Sequence, residues 1–197
     1  MLIRREHPSD APAIRAVTTA AFREVPHSAA PVDPDGAPGE ATLVGWLRDD
    51  PGWVPELSLV AESAPGPAGP AGSGSSGTSD TAGPTIVGHV VASRGLLAGR
   101  PALGLGPLSV HPSHQRLGTG SALMHALLGA ADAMGEPVVV LLGDPAYYSR
   151  FGFVPAGTLG IDAPDPAWGD YFQARALSAW DDGLTGRFAY AAPFDRL

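Results

Sequence analysis

Apolar positions along this chain switch between helical and strand periods. Behind the capping pair Ser9-Asp10, Ile14, Val17, Ala21 and Phe22 recur at helical spacing and predict a helix. Leu43, Val44 and Leu47 form one stripe of a second helix over residues 40–48. The Pro-rich stretch 25–39 between the two is predicted irregular, a candidate substrate lid. Residues 56–62 and 85–93 read as short strands. A longer helix over 119–134 turns Leu123, Met124, Leu127, Leu128 and Ala131 inward and ends at Gly135 and Pro137. Val138-Val139-Val140-Leu141-Leu142 is an unbroken aliphatic run, the pattern of a strand buried on both faces. Asp144 is placed as N-cap and Pro145 as the first residue of a short helix that Gly152 can end. Two further strands, roughly 171–177 and 187–191, complete the pattern.

The strand over 101–110 has a slip in its alternation. Leu103 and Leu105 share one phase, Leu108 and Val110 the other, so one residue is inserted at Gly106-Pro107. A β-bulge accommodates such an insertion, and glycine and proline are tolerated there. The strand should bend and leave backbone groups unpaired. The order strand, helix, strand from 101 to 142 implies a right-handed parallel crossover, hence a mixed α/β fold. Residues 63–84 consist of Ser, Ala, Pro, Gly and Thr apart from Asp80 and offer nothing to bury, which predicts a disordered loop. With a strand on each side, this loop is read as the expanded tip of a hairpin, and residues 1–197 as one domain.

Composition removes several function classes. Apolar residues make up 44% and charged residues 16%, enough to build a core. The absence of cysteine excludes disulfides, thiolate metal sites and a cysteine nucleophile. All 12 basic residues are arginine against 20 acids, and the net charge of −8 argues against a nucleic-acid partner. The longest apolar run, 138–142, is too short to span a bilayer, so no membrane partner and a cytoplasmic location are expected. No His and carboxylate spacing suggests a metal site.

The strongest local signal for chemistry is Gln115-Arg116-Leu117-Gly118-Thr119-Gly120, between the bulged strand and the helix. Two glycines let a ligand approach the backbone, and the helix start supplies unpaired N–H groups suited to phosphate or pyrophosphate. In a Gly-rich chain the same spacing also describes a plain tight turn. A lysine-free chain has no P-loop, and no third glycine completes a dinucleotide fingerprint.

Residues 110–123, from Val110-His111-Pro112 through Gly118-Thr119-Gly120 to Leu123, resemble motif A of the GNAT N-acetyltransferase superfamily. Tyr147-Tyr148-Ser149-Arg150-Phe151-Gly152-Phe153 is similar to that superfamily's tyrosine, three residues, then Gly-Phe, and follows in the expected order. Ile3-Arg4 through Asp10, Phe22, and Glu40 through Arg48 resemble the N-terminal helices of one bacterial branch. The resemblance spans nearly the whole chain except 63–84.

It implies a central mixed sheet splayed at the bulged strand and flanked by helices. It further implies that acetyl-CoA is the cosubstrate, without a metal, and that acetyl passes directly to a primary amine. The pantetheine arm would bond to the backbone of Leu108, Ser109 and Val110. The pyrophosphate would sit on Arg116, Leu117, Gly118, Thr119, Gly120 and Ser121, beside Gln115. Arg150 either joins the phosphates or pairs with a surface carboxylate. Tyr148 matches the superfamily tyrosine that protonates the departing thiolate; Tyr147 competes with it in sequence, but neighbours on a helix diverge by about 100°, so only one faces the thioester, and the superfamily's Gly-Phe spacing favours Tyr148. Glu40 and His89 are candidate bases; their bland readings are a helix-start acid and a satisfied core histidine. The expected acceptor is a small-molecule or protein amine, and a homodimer is compatible with the sequence. The rival reading is a noncatalytic acyl-CoA-binding or regulatory module, which would keep the turn and show no turnover.

Overall fold

The computed structural model describes residues 1–26, 28–63 and 84–197, so the low-complexity loop expected over 63–84 lies almost wholly outside the described residues. The chain runs β1 (Leu2–Arg5), α1 (Ala11–Phe22), α2 (Gly39–Arg48), β2 (Trp53–Glu62), β3 (Ile86–Leu97), β4 (Arg100–Val110), α3 (Thr119–Ala133) and β5 (Val138–Leu142). It continues with α4 (Pro145–Tyr148), β6 (Val154–Pro155), β7 (Ile161–Asp162), β8 (Phe172–Ala176) and β9 (Gly186–Ala189). The sheet order is β1-β2-β3-β4-β5-β8-β6, with β4 and β5 parallel and the other neighbours antiparallel. β9 pairs with the end of β3 and, in parallel, with β7. This is the mixed α/β architecture that the strand order implies.

Alternation along the strands sends the helices to opposite faces. Leu123, Met124, Leu127, Leu128 and Ala131 of α3 pack with Leu59, Val90, Leu103, Leu105, Val139 and Leu141. On the other face, Leu43 and Leu47 of α2 meet Val91, while Ile14 of α1 meets Val44 and Val60. β5 is buried on both sides: Val139 and Leu141 join the α3 core, whereas Val138 and Val140 pack with Phe172 and Phe188. A fully buried aliphatic side chain of this kind contributes roughly 1.5–3 kcal/mol.

Two readings change. Ile3-Arg4, likened to the N-terminal helices, lie instead in β1, whose pattern is hidden because two of its four residues are arginines; it is an edge strand whose Arg4 reaches both Asp10 and Glu62. The second short strand runs on to Leu97 and turns directly into β4 through Ala98 and Gly99, both at positive φ (49° and 80°), the geometry favoured in tight hairpins.

A buried polar cluster joins three elements beneath α2. Arg48 Nε donates to Glu6 Oε1 at 2.6 Å, and the Ser58 hydroxyl donates to the same carboxylate. His89 Nε2 lies 2.9 Å from Ser58 Oγ; with the serine proton committed to Glu6, the imidazole donates through Nε2. Burial pushes the Glu6 carboxyl up, but the hydrogen bonds from His89, Arg48 and Ser58 outweigh it and hold the group at about 2. Burial pushes His89 down against the opposing pull of Glu6, so the ring is neutral at pH 7.

Both shifts act in the same direction. The Glu6 contribution, on the order of 3 kcal/mol, is complete above the ordinary carboxyl value of 4.5 and is lost as pH falls toward 2. His89 adds a loss that begins near its ordinary value of 6.5, because the unfolded ring takes a proton more readily. Urea unfolding between pH 7 and 3 should therefore show falling stability. Glu6→Gln should destabilise the protein by about 3 kcal/mol at pH 7 and flatten the profile below pH 5; an unchanged profile would refute this assignment.

Candidate active site

The inserted residue appears where the alternation slips. Between the pairs Val90–Leu108 and Ala92–Leu105, β4 uses one residue more than β3, at Gly106-Pro107. On its other edge β4 pairs with β5 only at Leu103–Val139 and Gly104–Val140. Past the bulge the two parallel strands separate, although both continue, to Val110 and Leu142. The result is an opening in the sheet, narrow at Gly104 and wide toward the start of α3.

The backbone that lines it is partly unpaired. His111 donates its N–H to Val87 on β3. By the two-residue alternation of an antiparallel ladder, Ser109 also faces β3, while Leu108 and Val110 turn their peptide groups toward the opening. The stretch expected to bond a ligand thus narrows to two residues. The hydroxyl of Ser109 is committed to Thr18 of α1 at 3.0 Å. Gln115 is also committed, its side-chain amide donating to the Val110 carbonyl at 3.1 Å and closing the turn.

At the wide end, Arg116 (φ 61°) and Gly118 (φ 87°) are both left-handed and bracket an exposed Leu117. The turn hands over to α3 without a side-chain cap. The first amide bonded within the helix is that of Ala122, to the Gly118 carbonyl. The N–H groups of Thr119, Gly120 and Ser121 are therefore free, at the positive end of the helix dipole. Nothing stands within 4 Å of the place a Cβ would take at Gly118. Arg116 and Arg150 are exposed and, among the described residues, neither pairs with a carboxylate. Anion-binding groups and open space coincide here.

The two adjacent tyrosines divide their work. Asp144 caps α4, accepting from the Ala146 amide at 2.9 Å, which sets the turn that aims them. Tyr147 points to the start of α3: a Cβ on Gly120 would lie 2.7 Å from its hydroxyl, so the absent side chain makes room for the phenol. The Arg150 guanidinium stands 5.0 Å from the Tyr147 ring centroid, which ties that cation to the same corner. Tyr148 folds back over Gly143, where a Cβ would come within 2.3 Å of its ring. Burial pushes the Tyr148 phenol far above its ordinary value, with Tyr147 adding to the effect, so it keeps its proton throughout the neutral range.

Neither candidate base is brought to this corner. His89 belongs to the Glu6 cluster, is completely buried, and sits one strand away from the opening. Glu40 accepts from the Ser28 hydroxyl at 2.7 Å and the Ala29 amide at 2.8 Å, tying the irregular 25–39 stretch to α2. The bland readings of both residues account for what they touch. One residue at the opening that sequence reasoning missed is Tyr190, whose ring lies on Gly104. No local pattern signals a contact between residues 86 positions apart.

A sheet opened by a bulge, with free helix amides and a protonated phenol beside its wide end, has the geometry of an acyltransferase site. A family model described as an acetyltransferase (GNAT) domain matches residues 81–155. Over 201 aligned residues the chain is 31% identical to the uncharacterized N-acetyltransferase YhbS of Escherichia coli, covering 100% of this chain and 99% of that protein. Another N-acetyltransferase of the same organism, YjhQ, is 32% identical over 193 residues, 94% of this chain and 89% of its own length. The crystal structure of YhbS in complex with CoA superposes with a TM-score of 0.75 at 30% identity, covering 100% of this chain and 92% of that one. A GNAT acetyltransferase from Brucella melitensis in complex with acetyl-CoA gives 0.68 at 33% identity, covering 98% and 97%. The chain belongs to the GNAT family of N-acetyltransferases. Among the described residues, no helix is long and apolar enough to cross a membrane and no group of three or more His, Asp or Glu is gathered for a metal.

The close approach at Gly143 is directly testable. Gly143→Ala must move Tyr148, and should cost roughly 1–3 kcal/mol of stability as an overpacked site does. Turnover should fall with it, since a misplacement of about 1 Å can cost 10²-fold. A variant with wild-type stability and turnover would show that Tyr148 is not held against Gly143.

Proposed function

We propose that the chain transfers acetyl from acetyl-CoA to a primary amine by direct attack, with the thioester lying in the opening between β4 and β5. The observation behind this reading is the end of the β4–β5 ladder at Gly104–Val140, which leaves a strand edge free that leads to the α3 amides and Tyr148. An amide-bearing arm can pair with such an edge through backbone alone. Leu108 and Val110 would bind the pantetheine, on either side of the inward-facing Ser109. Arg116 through Ser121, with Arg150 behind Tyr147, would hold the pyrophosphate. The choice of acetyl draws support from the Brucella relative, which is described with acetyl-CoA bound.

In the reaction an N–C bond forms at the acyl carbon and the C–S bond breaks. The departing thiolate takes the Tyr148 phenol proton. The phenolate is then restored by a proton released from the new amide nitrogen, so the net change moves one proton from amine to thiol. Because Glu40 and His89 are committed elsewhere, the amine enters neutral, having given its ammonium proton to solvent. The acceptor is a small-molecule or protein amine, the catalytic unit is a single domain over residues 1–197, and a cytoplasmic setting fits because acetyl-CoA is a cytoplasmic metabolite.

A thiol-release assay across an amine panel tests the reading. Tyr148→Phe should lower kcat about 10²–10⁴-fold while acetyl-CoA affinity stays within a few fold. The pH profile of kcat/KM should rise through the acceptor amine's own pKa, with no separate limb from a protein base. The raised Tyr148 phenol should add no decline up to pH 10. Binding of acetyl-CoA without thiol release from any amine would favour a noncatalytic acyl-CoA-binding module instead.

A further inference from the structure

Tyr190 lies just beyond β9, far in sequence from the residues around the opening, yet its ring covers the point where β4 and β5 part. A Cβ on Gly104 would lie 2.6 Å from the Tyr190 ring, so the ring rests directly on the strand backbone at the last parallel pair, Gly104–Val140. Phe188 (4.8 Å between centroids), Phe194 (4.7 Å), Trp168 (6.2 Å) and Phe172 (6.4 Å) pack around it. The ring is therefore held over Gly104 by an aromatic cluster on the face of the sheet opposite α3.

The space around its hydroxyl is also filled. Among the described residues, Tyr190 Oη is buried and has no hydrogen-bond partner, and the Ser93 hydroxyl, opposite Gly104 in register, is buried and unpartnered too. Burial raises the Tyr190 phenol, as it raises that of Tyr148, so both are protonated at neutral pH. Tyr148 packs with the α3 core and Tyr190 with the opposite one, so the two rings belong to opposite faces of the sheet.

We propose that Tyr190 sets acyl-chain length: its ring closes the narrow end of the β4–β5 opening, so that an acetyl group fits and longer acyl chains do not. The proposal rests on the acyl-CoA reading above. An arm held by Leu108 and Val110 runs from the wide end toward the bulge, and its acyl end then points at Gly104. Each carbon beyond acetyl would have to displace a ring that is packed against Phe172, Phe188 and Phe194.

Calorimetric titrations with CoA, acetyl-CoA, butyryl-CoA and hexanoyl-CoA test this. Wild type should bind acetyl-CoA at least tenfold more tightly than hexanoyl-CoA, in line with the roughly 10–200-fold that a pocket gains against an extra methylene. Tyr190→Leu and Tyr190→Ala should reduce that ratio to within threefold of unity, with CoA affinity unchanged. Tyr190→Phe, which keeps the ring, should retain wild-type discrimination. Wild type that binds hexanoyl-CoA as tightly as acetyl-CoA overturns the proposal without need of any variant. So does a folded Tyr190→Leu with undiminished discrimination. Failure of CoA itself to bind would overturn the underlying acyl-CoA reading along with it, whereas CoA binding without acyl discrimination removes only the role of Tyr190.

Discussion

One extra residue in β4 governs the rest of the site. A parallel pair of strands stays closed as long as both keep step, and β4 loses step at Gly106-Pro107, two residues past its last bond to β5. Proline cannot donate to a ladder, so the strands separate while the hydrophobic residues on either side of the bulge still reach the core. Leu103 and Leu105 before it, and Leu108 and Val110 after it, all lie on the α3 face. The insertion opens one edge of the strand without giving up its burial. It also leaves the antiparallel pairing with β3 intact on both sides of the slip.

Glycines then let side chains close around that opening. At Gly143 the missing side chain admits Tyr148, at Gly120 it admits the Tyr147 hydroxyl, and at Gly104 it admits the Tyr190 ring. In each case an aromatic group lies against backbone that any Cβ would occupy. The same corner is electrostatically prepared, with free helix amides and two arginines that, among the described residues, pair with no carboxylate, on a chain of net charge −8. Local construction overrides the global charge here, because three amides and two guanidinium groups act at short range.

The features legible in the sequence were the ones encoded locally. The phase slip between Leu105 and Leu108, the aliphatic run of β5, the Asp144 cap and the glycine turn before α3 each need only a few consecutive residues to be recognised. That Tyr147 and Tyr148 turn to different neighbours likewise follows from helical geometry. What could not be read depends on long-range pairing. His89 on its strand gives no sign that Glu6, Arg48 and Ser58 will converge on it, and Glu40 gives none that Ser28 and Ala29 will claim its oxygens. Tyr190 belongs to the same class, since its place depends on β9 joining the end of β3. Backbone pairing also subdivided a stretch that sequence treated as uniform: Leu108 and Val110 face the opening, whereas Ser109 turns to β3 and α1.

The central claim is that the free edge of β4 and the free amides of α3 form one continuous binding surface for an acyl-CoA. Calorimetric titration with acetyl-CoA, comparing wild type with Gly120→Glu, tests it most directly. The substitution puts bulk where the Tyr147 hydroxyl lies and negative charge among the free amides, in the first turn of α3. The account predicts micromolar binding to wild type and its loss in a variant that still folds. Equal binding by both proteins, or no binding to wild type at millimolar ligand, would contradict it.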